Sequence, residues 1–283
     1  MSNPKGIILS APSSGCGKTT ITLGLLRALN NSGFQIKSAK SGPDYIDTRF
    51  HSAASGSECY NLDSWAMCPD QICKLANEAT PLIIEGAMGL FDGAPPEGKG
   101  STSDLAGILK LPVVLILDAA SQAQSIAALT LGFQKLDPNV KISGIILNKV
   151  GSDKHNRILL KALEPLGIPI LGSIYRNKDL NMPSRHLGLV QAQELNNLDE
   201  FLNTAAEIVS DSIDIAKLLK LMKPIPKQKK DTNLFLEPPA QSICIASDAA
   251  FSFTYPHILK EWHRIGIEIS FFSPLKNEAP RDA

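Results

Sequence analysis

The sequence lacks the features of several common protein classes. Lys and Arg number 28, as do Asp and Glu, so the formal net charge is zero, whereas proteins that bind duplex nucleic acid usually carry a basic excess. The strongest apolar run, residues 111–117, is far shorter than the ~20 residues of a membrane-spanning helix. The first apolar stretch runs directly into Gly and Ser, unlike a signal peptide. We therefore expect no nucleic-acid partner, no membrane partner and no secretion signal.

Cysteines are also few, and they are scattered. The five thiols contain no C-x-x-C pair, which argues against a disulfide framework and favours a reducing, cytoplasmic location. A zinc site among Cys59, Cys68 and Cys73 is a weaker alternative to ordinary thiols packed in the protein interior.

Apolar residues are abundant and regularly arranged. They make up 43% of the 283 residues, which is enough for a large core. Short apolar runs alternate with helical patterns, and this alternation predicts a doubly wound α/β fold with a mostly parallel sheet. The predicted strands are residues 6–11, 35–39, 81–87, 112–119, 142–148 and 168–174, and the predicted helices are residues 19–29, 101–109, 120–136 and 153–166.

The chain is predicted to contain two domains of unequal size. Residues 1–223 form the first domain, which ends in a long helix over residues 196–223. Two prolines and four lysines within residues 223–230 indicate a linker, placed at residues 224–241. Residues 242–283 predict one strand–helix–strand unit. Such a unit cannot bury both faces of its sheet, so it is expected to be the start of an incomplete second α/β domain.

The strongest local motif is a phosphate-binding loop at residues 12–20. It follows a strand and opens a helix, as a P-loop requires. Its glycines let backbone N–H groups approach phosphate oxygens, Lys18 can reach the β- and γ-phosphates, and the Thr19 hydroxyl can hold Mg²⁺. The alternative is a Gly/Ser turn with an incidental lysine. The residues predicted to contact the nucleotide are Ser14, Gly15, Cys16, Gly17, Lys18, Thr19 and Thr20.

Two positions in this loop depart from common patterns. Pro12 replaces the first glycine of the usual P-loop. Ser13 stands where many ATPases that form nucleotide-sandwich dimers carry an extra lysine, and this disfavours such a switch ATPase.

Acidic residues follow three of the predicted strands, where open α/β sheets bind ligands. Asp44 and Asp47 are expected on a loop after the second strand, Glu85 ends a buried strand, and Asp118 ends another. Mg²⁺ at a γ-phosphate needs only one or two carboxylates, and Asp47 and Glu85 would supply them beside Thr19. The alternative for each acid is a cap or turn role, and for Asp118 that role is favoured.

Two further polar positions are weaker candidates. Arg185, on a loop over residues 183–189, could clamp a carboxylate or a phosphate, whereas His186 beside it is more typical of a packed or capping histidine. Asn148 ends a strand and could read a nucleotide base through its amide. Each also fits a purely structural role.

Taken together, residues 11–19, 42–47, 85–93 and 185–189 resemble the cobyrinic acid a,c-diamide synthase family, which amidates corrin precursors in cobalamin biosynthesis. Residues 248–255 and 272–275 resemble the opening of the family's triad-type glutamine amidotransferase domain. The resemblance implies that the first domain is an ATP-dependent synthetase similar to dethiobiotin synthetase. Pro12 is a residue that this family carries.

The resemblance also implies roles for individual residues. Thr19, Asp47 and Glu85 would hold the Mg²⁺ of Mg²⁺–ATP, with Mg²⁺ as the cofactor. Asn148 would lie near adenine. The residues that would act on the substrate carboxylate and the phosphorylated intermediate are Lys18, Asp44, Tyr45 and Asp92.

The implied activity is that of a carbon–nitrogen ligase of the glutamine amido-ligase type. ATP would activate the a- and c-side-chain carboxylates of cobyrinic acid as acyl phosphates, and ammonia would then form the amides. None of the five cysteines matches the family's glutaminase nucleophile. We therefore expect the chain to be either a piece of a longer protein or a synthetase whose glutaminase is a separate chain, with ammonia from solution or from that glutaminase chain in trans.

Several alternatives remain open at this point. The substrate could be another tetrapyrrole, namely hydrogenobyrinic acid or nickel-sirohydrochlorin. The chain could instead be a P-loop ATPase switch that acts as a nucleotide-dependent homodimer, or an inactive remnant of a synthetase.

Overall fold

A computed structural model describes residues 4–180, 191–195, 197–228 and 236–280. The chain forms two compact units, Met1–Gln228 and Lys229–Ala283.

The first unit is built on one sheet of parallel strands. Along the described residues the strand order is β3-β2-β4-β1-β5-β6-β7. A two-residue strand, β8, pairs antiparallel with the start of β1. The strands are β1 Lys5–Ser10, β2 Lys37–Ser41, β3 Cys59–Leu62, β4 Leu82–Glu85, β5 Val113–Asp118, β6 Ile142–Val150, β7 Ile170–Tyr175 and β8 Lys223–Pro224.

Helices cover both faces of this sheet, and the central strands β1, β4 and β5 are accordingly buried and mostly apolar, as in other parallel sheets. The backbones of α1 and α7 approach each other closely: a Cβ on Gly24 of α1 would lie 2.7 Å from the Ala205 carbonyl oxygen of α7. The helices of this unit are α1 Lys18–Asn31, α2 Tyr45–Ser55, α3 Pro69–Glu78, α4 Thr102–Leu109, α5 Ser125–Lys135, α6 Asp153–Leu163, α7 Leu198–Ser212 and α8 Ile215–Leu221.

The predicted α/β class with a mostly parallel sheet is confirmed, and each of the six predicted strands overlaps an observed one. Four of the helices and strands given above were not predicted, namely α2, β3, α3 and the two-residue strand β8. The expectation that Asp47 lies on a loop is wrong, because Asp47 lies in the first turn of α2. Asp44 caps this helix, and its side chain accepts hydrogen bonds from the backbone N–H groups of Ile46 and Asp47.

The single helix predicted over residues 196–223 is also wrong. The helix breaks after Ser212, where Ile213 adopts an extended conformation and forms an isolated bridge with Gly172. Asp214 then caps α8 by accepting a hydrogen bond from the N–H of Lys217. Tertiary pairing with the end of the sheet therefore overrides the helical periodicity.

The chain continues to pack on the sheet beyond residue 223. Lys223 and Pro224 form β8, Ile225 is 5% exposed, and the Pro226 carbonyl accepts a hydrogen bond from Asn77. The first residues of the predicted linker thus belong to the first compact unit. The pairing of β8 with β1, the burial of Ile225 and the hydrogen bond to Pro226 provide these contacts, and the proline and lysine content of the segment does not reveal them.

The second unit contains two parallel strands and one helix in its described part, β9 Ser242–Ala246, α9 Pro256–Arg264 and β10 Glu268–Phe272. These are the three elements predicted there. In neither unit do the described residues include a helix with the length and apolarity needed to cross a membrane.

Candidate active site

The phosphate-binding loop joins β1 to α1, as predicted. Gly15 and Gly17 have φ angles of +80° and +87°, which favour glycine because other residues rarely adopt them. Gly17 is constrained further, since a Cβ there would lie 2.3 Å from the side-chain amide nitrogen of Asn148. The loop therefore keeps its backbone N–H groups at the helix N-terminus, where they can face an anion.

Lys18 and Thr19 extend from the first turn of α1. The Lys18 ammonium donates a hydrogen bond to the Ser13 carbonyl oxygen at 3.1 Å, back across the loop. Burial lowers the pKa of Lys18 below its ordinary value. The Thr19 hydroxyl donates to Oε1 of Glu85 at 2.6 Å, so the first helical turn is already joined to the end of β4.

One buried lysine connects the two acids that were predicted to bind metal. Lys40 Nζ lies 2.7 Å from Glu85 Oε1 and 2.5 Å from Asp47 Oδ2. Strands β2 and β4 are neighbours, with Lys40 directly opposite Glu85, while Asp47 is supplied by α2 immediately after β2. The structure therefore brings Thr19, Asp47 and Glu85 together at one edge of the sheet.

A histidine lies on the other side of Glu85. His51, on α2, is fully buried, and its Nε2 lies 2.6 Å from Glu85 Oε2. An ionised carboxylate can only accept hydrogen bonds, so Nε2 donates here. The other ring nitrogen, Nδ1, lies 3.6 Å from the Cys59 sulfur on β3.

These contacts determine the charge states of the cluster. Burial alone would raise the pKa of Glu85, but Lys40 and His51 outweigh it and hold that pKa well below its ordinary range. Burial is likewise outweighed at Lys40, whose pKa is raised, chiefly by Glu85. Burial would lower the pKa of His51, but Cys59 and Glu85 raise it to about 10. Asp47 differs, because burial and the charge of Glu85 raise its pKa.

The cluster opens into a cleft of about 580 Å³ beside the phosphate-binding loop. Besides loop residues, Lys40, Asp44, Asp47, Glu85 and Met88 line it. Met88 has a φ angle of +49°, which is uncommon for a residue other than glycine. Its side chain is apolar, and the residue is 58% exposed. The cleft thus combines cationic, acidic and apolar groups next to a phosphate-binding loop.

The remaining residues predicted to act on the substrate lie near this cleft but do not all line it. Asp44 lines it while its carboxylate caps α2. Tyr45 begins α2, half-buried. Asp92 is exposed and accepts a hydrogen bond from the N–H of Gly89 at 2.8 Å. The segment carrying Asp92 packs on the phosphate-binding loop, since a Cβ on Gly89 would lie 2.4 Å from the Pro12 carbonyl oxygen.

A second cleft, of about 550 Å³, lies on the other side of the loop. Asn148 lines it, and its amide donates to the Cys16 carbonyl oxygen at 2.9 Å. Asp118 takes no part in the cluster around Glu85. It forms an ion pair with Lys149 at 2.6 Å, and Lys149 also donates to the Gly15 carbonyl oxygen. The other carboxylate oxygen of Asp118 accepts a hydrogen bond from the backbone N–H of Ala120 at 2.9 Å, a contact typical of the turn role favoured for Asp118.

Two members of the cluster were not predicted from the sequence. Lys40 and His51 were assigned no function, although Asp47 and His51 are four residues apart, the spacing that places two side chains on one face of a helix. Arg185 and His186 lie outside the described residues. The proposed zinc alternative has no support within the described ranges, where no group of three or more Cys, His, Asp or Glu side chains suits a metal ion.

Comparisons with known proteins identify a family and several relatives. Residues 7–190 match the family model described as the CobQ/CobB/MinD/ParA nucleotide binding domain. Hydrogenobyrinate a,c-diamide synthase of Brucella anthropi is 50% identical over 283 residues, covering 98% of this chain and 65% of that protein. The protein of the same name from Mesorhizobium japonicum is 45% identical over 285 residues, covering 99% and 65%.

The chain therefore spans about 65% of the length of the curated relatives it matches. Among solved structures, chloroplast FtsY from Physcomitrella patens aligns with a TM-score of 0.48 at 17% identity, covering 71% of this chain and 66% of that one. The family model and the two hydrogenobyrinate a,c-diamide synthases confirm the resemblance inferred from the sequence motifs.

Proposed function

The chain belongs to the family of the CobQ/CobB/MinD/ParA nucleotide binding domain, and we propose that it uses ATP to convert carboxylates of a tetrapyrrole into amides. One observation carries this proposal: Lys18, Asp47 and Glu85 line a single cleft beside the phosphate-binding loop. A triphosphate, its cation and an organic acid can meet there.

The names of the relatives favour one substrate. Each of the two relatives described above is named hydrogenobyrinate a,c-diamide synthase, so we propose the a- and c-carboxylates of hydrogenobyrinic acid as the groups amidated. Cobyrinic acid and nickel-sirohydrochlorin present similar carboxylates and are the substrates to test beside it. The apolar side chain of Met88 would contact the macrocycle at the mouth of the cleft.

The residues present fit Mg²⁺. The Thr19 hydroxyl and the carboxylates of Asp47 and Glu85 are the hard oxygen donors that this ion prefers, and it needs only one or two carboxylates when phosphates supply the rest. The Lys40 ammonium lies between the two carboxylates, so Mg²⁺ would bind there together with the nucleotide phosphates, which supply its remaining oxygen ligands. When bound, Mg²⁺ would supply charge stabilisation at the β- and γ-phosphates.

The nucleotide would lie across the loop. Residues 14–20 would surround the phosphates through their backbone N–H groups, and the base would occupy the second cleft beside Asn148. The Lys18 ammonium would turn from the Ser13 carbonyl oxygen to the phosphates. This change replaces a neutral acceptor by a charged one and is therefore favourable.

The reaction then proceeds in two steps. A carboxylate oxygen of the substrate attacks the γ-phosphorus, the bond to the β–γ bridging oxygen breaks, and ADP leaves with the electron pair. Ammonia attacks the carbonyl carbon of the acyl phosphate, phosphate leaves, and a proton is lost to give the amide. Lys18 and Lys40 would balance the negative charge of the transferring group.

Asp44, Tyr45 and Asp92 would act on the substrate side. Asp44 fixes the start of α2 and hence the position of Asp47. Asp92 is exposed next to the phosphate-binding loop, where it could orient ammonia or take up its proton. Tyr45 would contact the substrate from the first turn of α2.

The test is an amidation assay with defined components. The protein is incubated with hydrogenobyrinic acid, ATP, Mg²⁺ and an ammonium salt, and products are identified by mass. We expect two successive amidations, with Glu85→Gln inactive and Glu164→Gln, which alters an exposed glutamate on the surface, fully active. Full activity of Glu85→Gln would remove the acidic cluster from the reaction. ATP-dependent dimerisation without amide formation would instead support a switch ATPase.

A further inference from the structure

The two oxygens of Glu85 have different surroundings. Oε1 accepts hydrogen bonds from the Thr19 hydroxyl and from the Lys40 ammonium, both of which line the cleft. Oε2 meets His51 at 2.6 Å. Neither His51 nor its partner Cys59 lines the cleft, so one oxygen faces the site and the other faces the protein interior.

His51 lies in the protein interior at this position. Its side chain is fully buried, and Nδ1 lies 3.6 Å from the Cys59 sulfur on the outermost strand, β3. His51 shares a face of α2 with Asp47, and Asp47 contacts Lys40, the residue that also pairs with Glu85. One helix therefore supplies both a carboxylate in the cleft and a hydrogen-bond donor behind the neighbouring carboxylate.

We propose that His51 is a positioning residue for the metal site: it holds Glu85 so that only Oε1 is presented to the cation of the bound nucleotide. This inference rests on the proposed function in taking Glu85 as a metal ligand. Without the His51 donor, Oε2 would be buried with no partner, and the carboxylate would turn to share both oxygens with Lys40. A cation would then have to compete with Lys40 for each oxygen.

The expected loss of metal affinity can be taken from similar metal sites. Partners that hydrogen-bond a metal ligand from behind typically change metal affinity by about 10–100-fold when removed. The loss should affect only binding that depends on the cation. Affinity for the nucleotide without divalent ions should stay the same, because His51 touches none of the loop residues that face phosphate in the contacts described for it.

The experiment measures the affinity of the chain for a non-hydrolysable ATP analogue by calorimetry, once with Mg²⁺ and once with EDTA. His51→Phe keeps the volume but removes the donor, and His51→Gln keeps a donor at the position of Nε2. Cys59→Ala is the matched control, since it removes the partner of Nδ1 and leaves the contact with Glu85.

We expect the increase in affinity for the ATP analogue that Mg²⁺ causes to be about 10–100-fold smaller in His51→Phe than in the wild type. The affinity for the analogue in EDTA should be unchanged. His51→Gln should recover most of the gain, and Cys59→Ala should resemble the wild type. An unchanged Mg²⁺ dependence in His51→Phe overturns the proposal. If His51→Phe does not fold, His51→Asn replaces it, because its shorter amide does not reach Glu85. If neither folds, His51 maintains the fold and the proposal is also overturned.

The result is separable from that of the amidation assay. A wild-type chain that gains nucleotide affinity from Mg²⁺ but amidates no tetrapyrrole would refute the proposed function and leave the role of His51 intact. A chain that amidates hydrogenobyrinic acid while His51→Phe keeps the wild-type Mg²⁺ dependence would refute only the role of His51.

Discussion

Replacement of Lys40 by methionine tests how the acidic cluster is held together. Lys40 is 4% exposed, and its ammonium contacts both Asp47 and Glu85. Methionine fills a similar volume but carries no charge. The variant therefore leaves two carboxylates close to each other without the cation between them.

The expected loss of stability is large. Removing one partner of a buried ion pair typically costs about 3–5 kcal/mol, because the remaining charge loses compensation. In the variant, Glu85 keeps the Thr19 hydroxyl and His51 as partners. Glu85 is fully buried, so its contact should dominate, while the Asp47 side chain is 21% exposed and is partly screened by solvent. We expect the free energy of unfolding to fall by about 3–5 kcal/mol in EDTA.

Mg²⁺ should restore part of this loss. The variant offers the cation two carboxylates and the Thr19 hydroxyl, and a ligand at 100 times its dissociation constant stabilises a protein by about 2.7 kcal/mol. In the wild type, Lys40 occupies the space between the carboxylates, so Mg²⁺ without nucleotide should change its stability little.

The assay is urea unfolding followed by circular dichroism, with EDTA or with Mg²⁺, at neutral pH. Lys37→Met, on the same strand but outside the cluster, is the matched control and should lose less than 1 kcal/mol. Equal stability of the two variants in EDTA, or a Lys40→Met variant that does not respond to Mg²⁺, would refute the reasoning.

Three further predictions concern other parts of the chain. Gly17→Ala places a Cβ 2.3 Å from a side-chain nitrogen at a φ of +87°, so nucleotide affinity should fall at least tenfold. Gly167 also has a positive φ, of +65°, but has open space around it, so Gly167→Ala should bind nucleotide normally in the same titration. Met88→Ala should raise the KM for the tetrapyrrole about fivefold, equivalent to about 1 kcal/mol of lost apolar contact, and a raised KM for ATP would contradict this role. Burial lowers the pKa of His257 from 6.5 to about 4. As the pH falls, the histidine is therefore protonated in the unfolded chain before it is protonated in the folded one. The free energy of unfolding of the second unit should thus fall by about 3 kcal/mol from pH 7 to pH 4. Hydrogen exchange should show that His257→Gln abolishes this loss of stability. His263→Gln, which alters an exposed residue of the same helix, should retain it. Identical pH profiles for the two variants would show that His257 does not cause the loss.

Much of the fold follows from local patterns. The strand, loop and helix around Lys18 could be predicted because their signals are adjacent in sequence. Helix α2 was missed because Pro43 and Asp44 were interpreted as a loop, although Asp44 is a typical N-cap residue. Strand β3 was missed because it has only four residues, one of them the polar Asn61.

The acidic cluster was harder to predict in full. Asp47 and Glu85 follow the ends of strands, a position typical of ligand sites. The role of Lys40 depends on the pairing of β2 with β4 and on a register that places it opposite Glu85. Local sequence does not contain this information, because β3 lies between the two strands along the chain. The contact of His51 with Glu85 depends on the same register and on the packing of α2.

Transfer of oxygen from the substrate to phosphate tests the central claim most directly. Hydrogenobyrinic acid labelled with ¹⁸O in its carboxylates is incubated with the chain, ATP, Mg²⁺ and ammonia, and the released phosphate is analysed by mass spectrometry. Activation of the carboxylate by ATP in the cleft predicts one ¹⁸O atom in phosphate for each amide formed. Amide formation with unlabelled phosphate would contradict it.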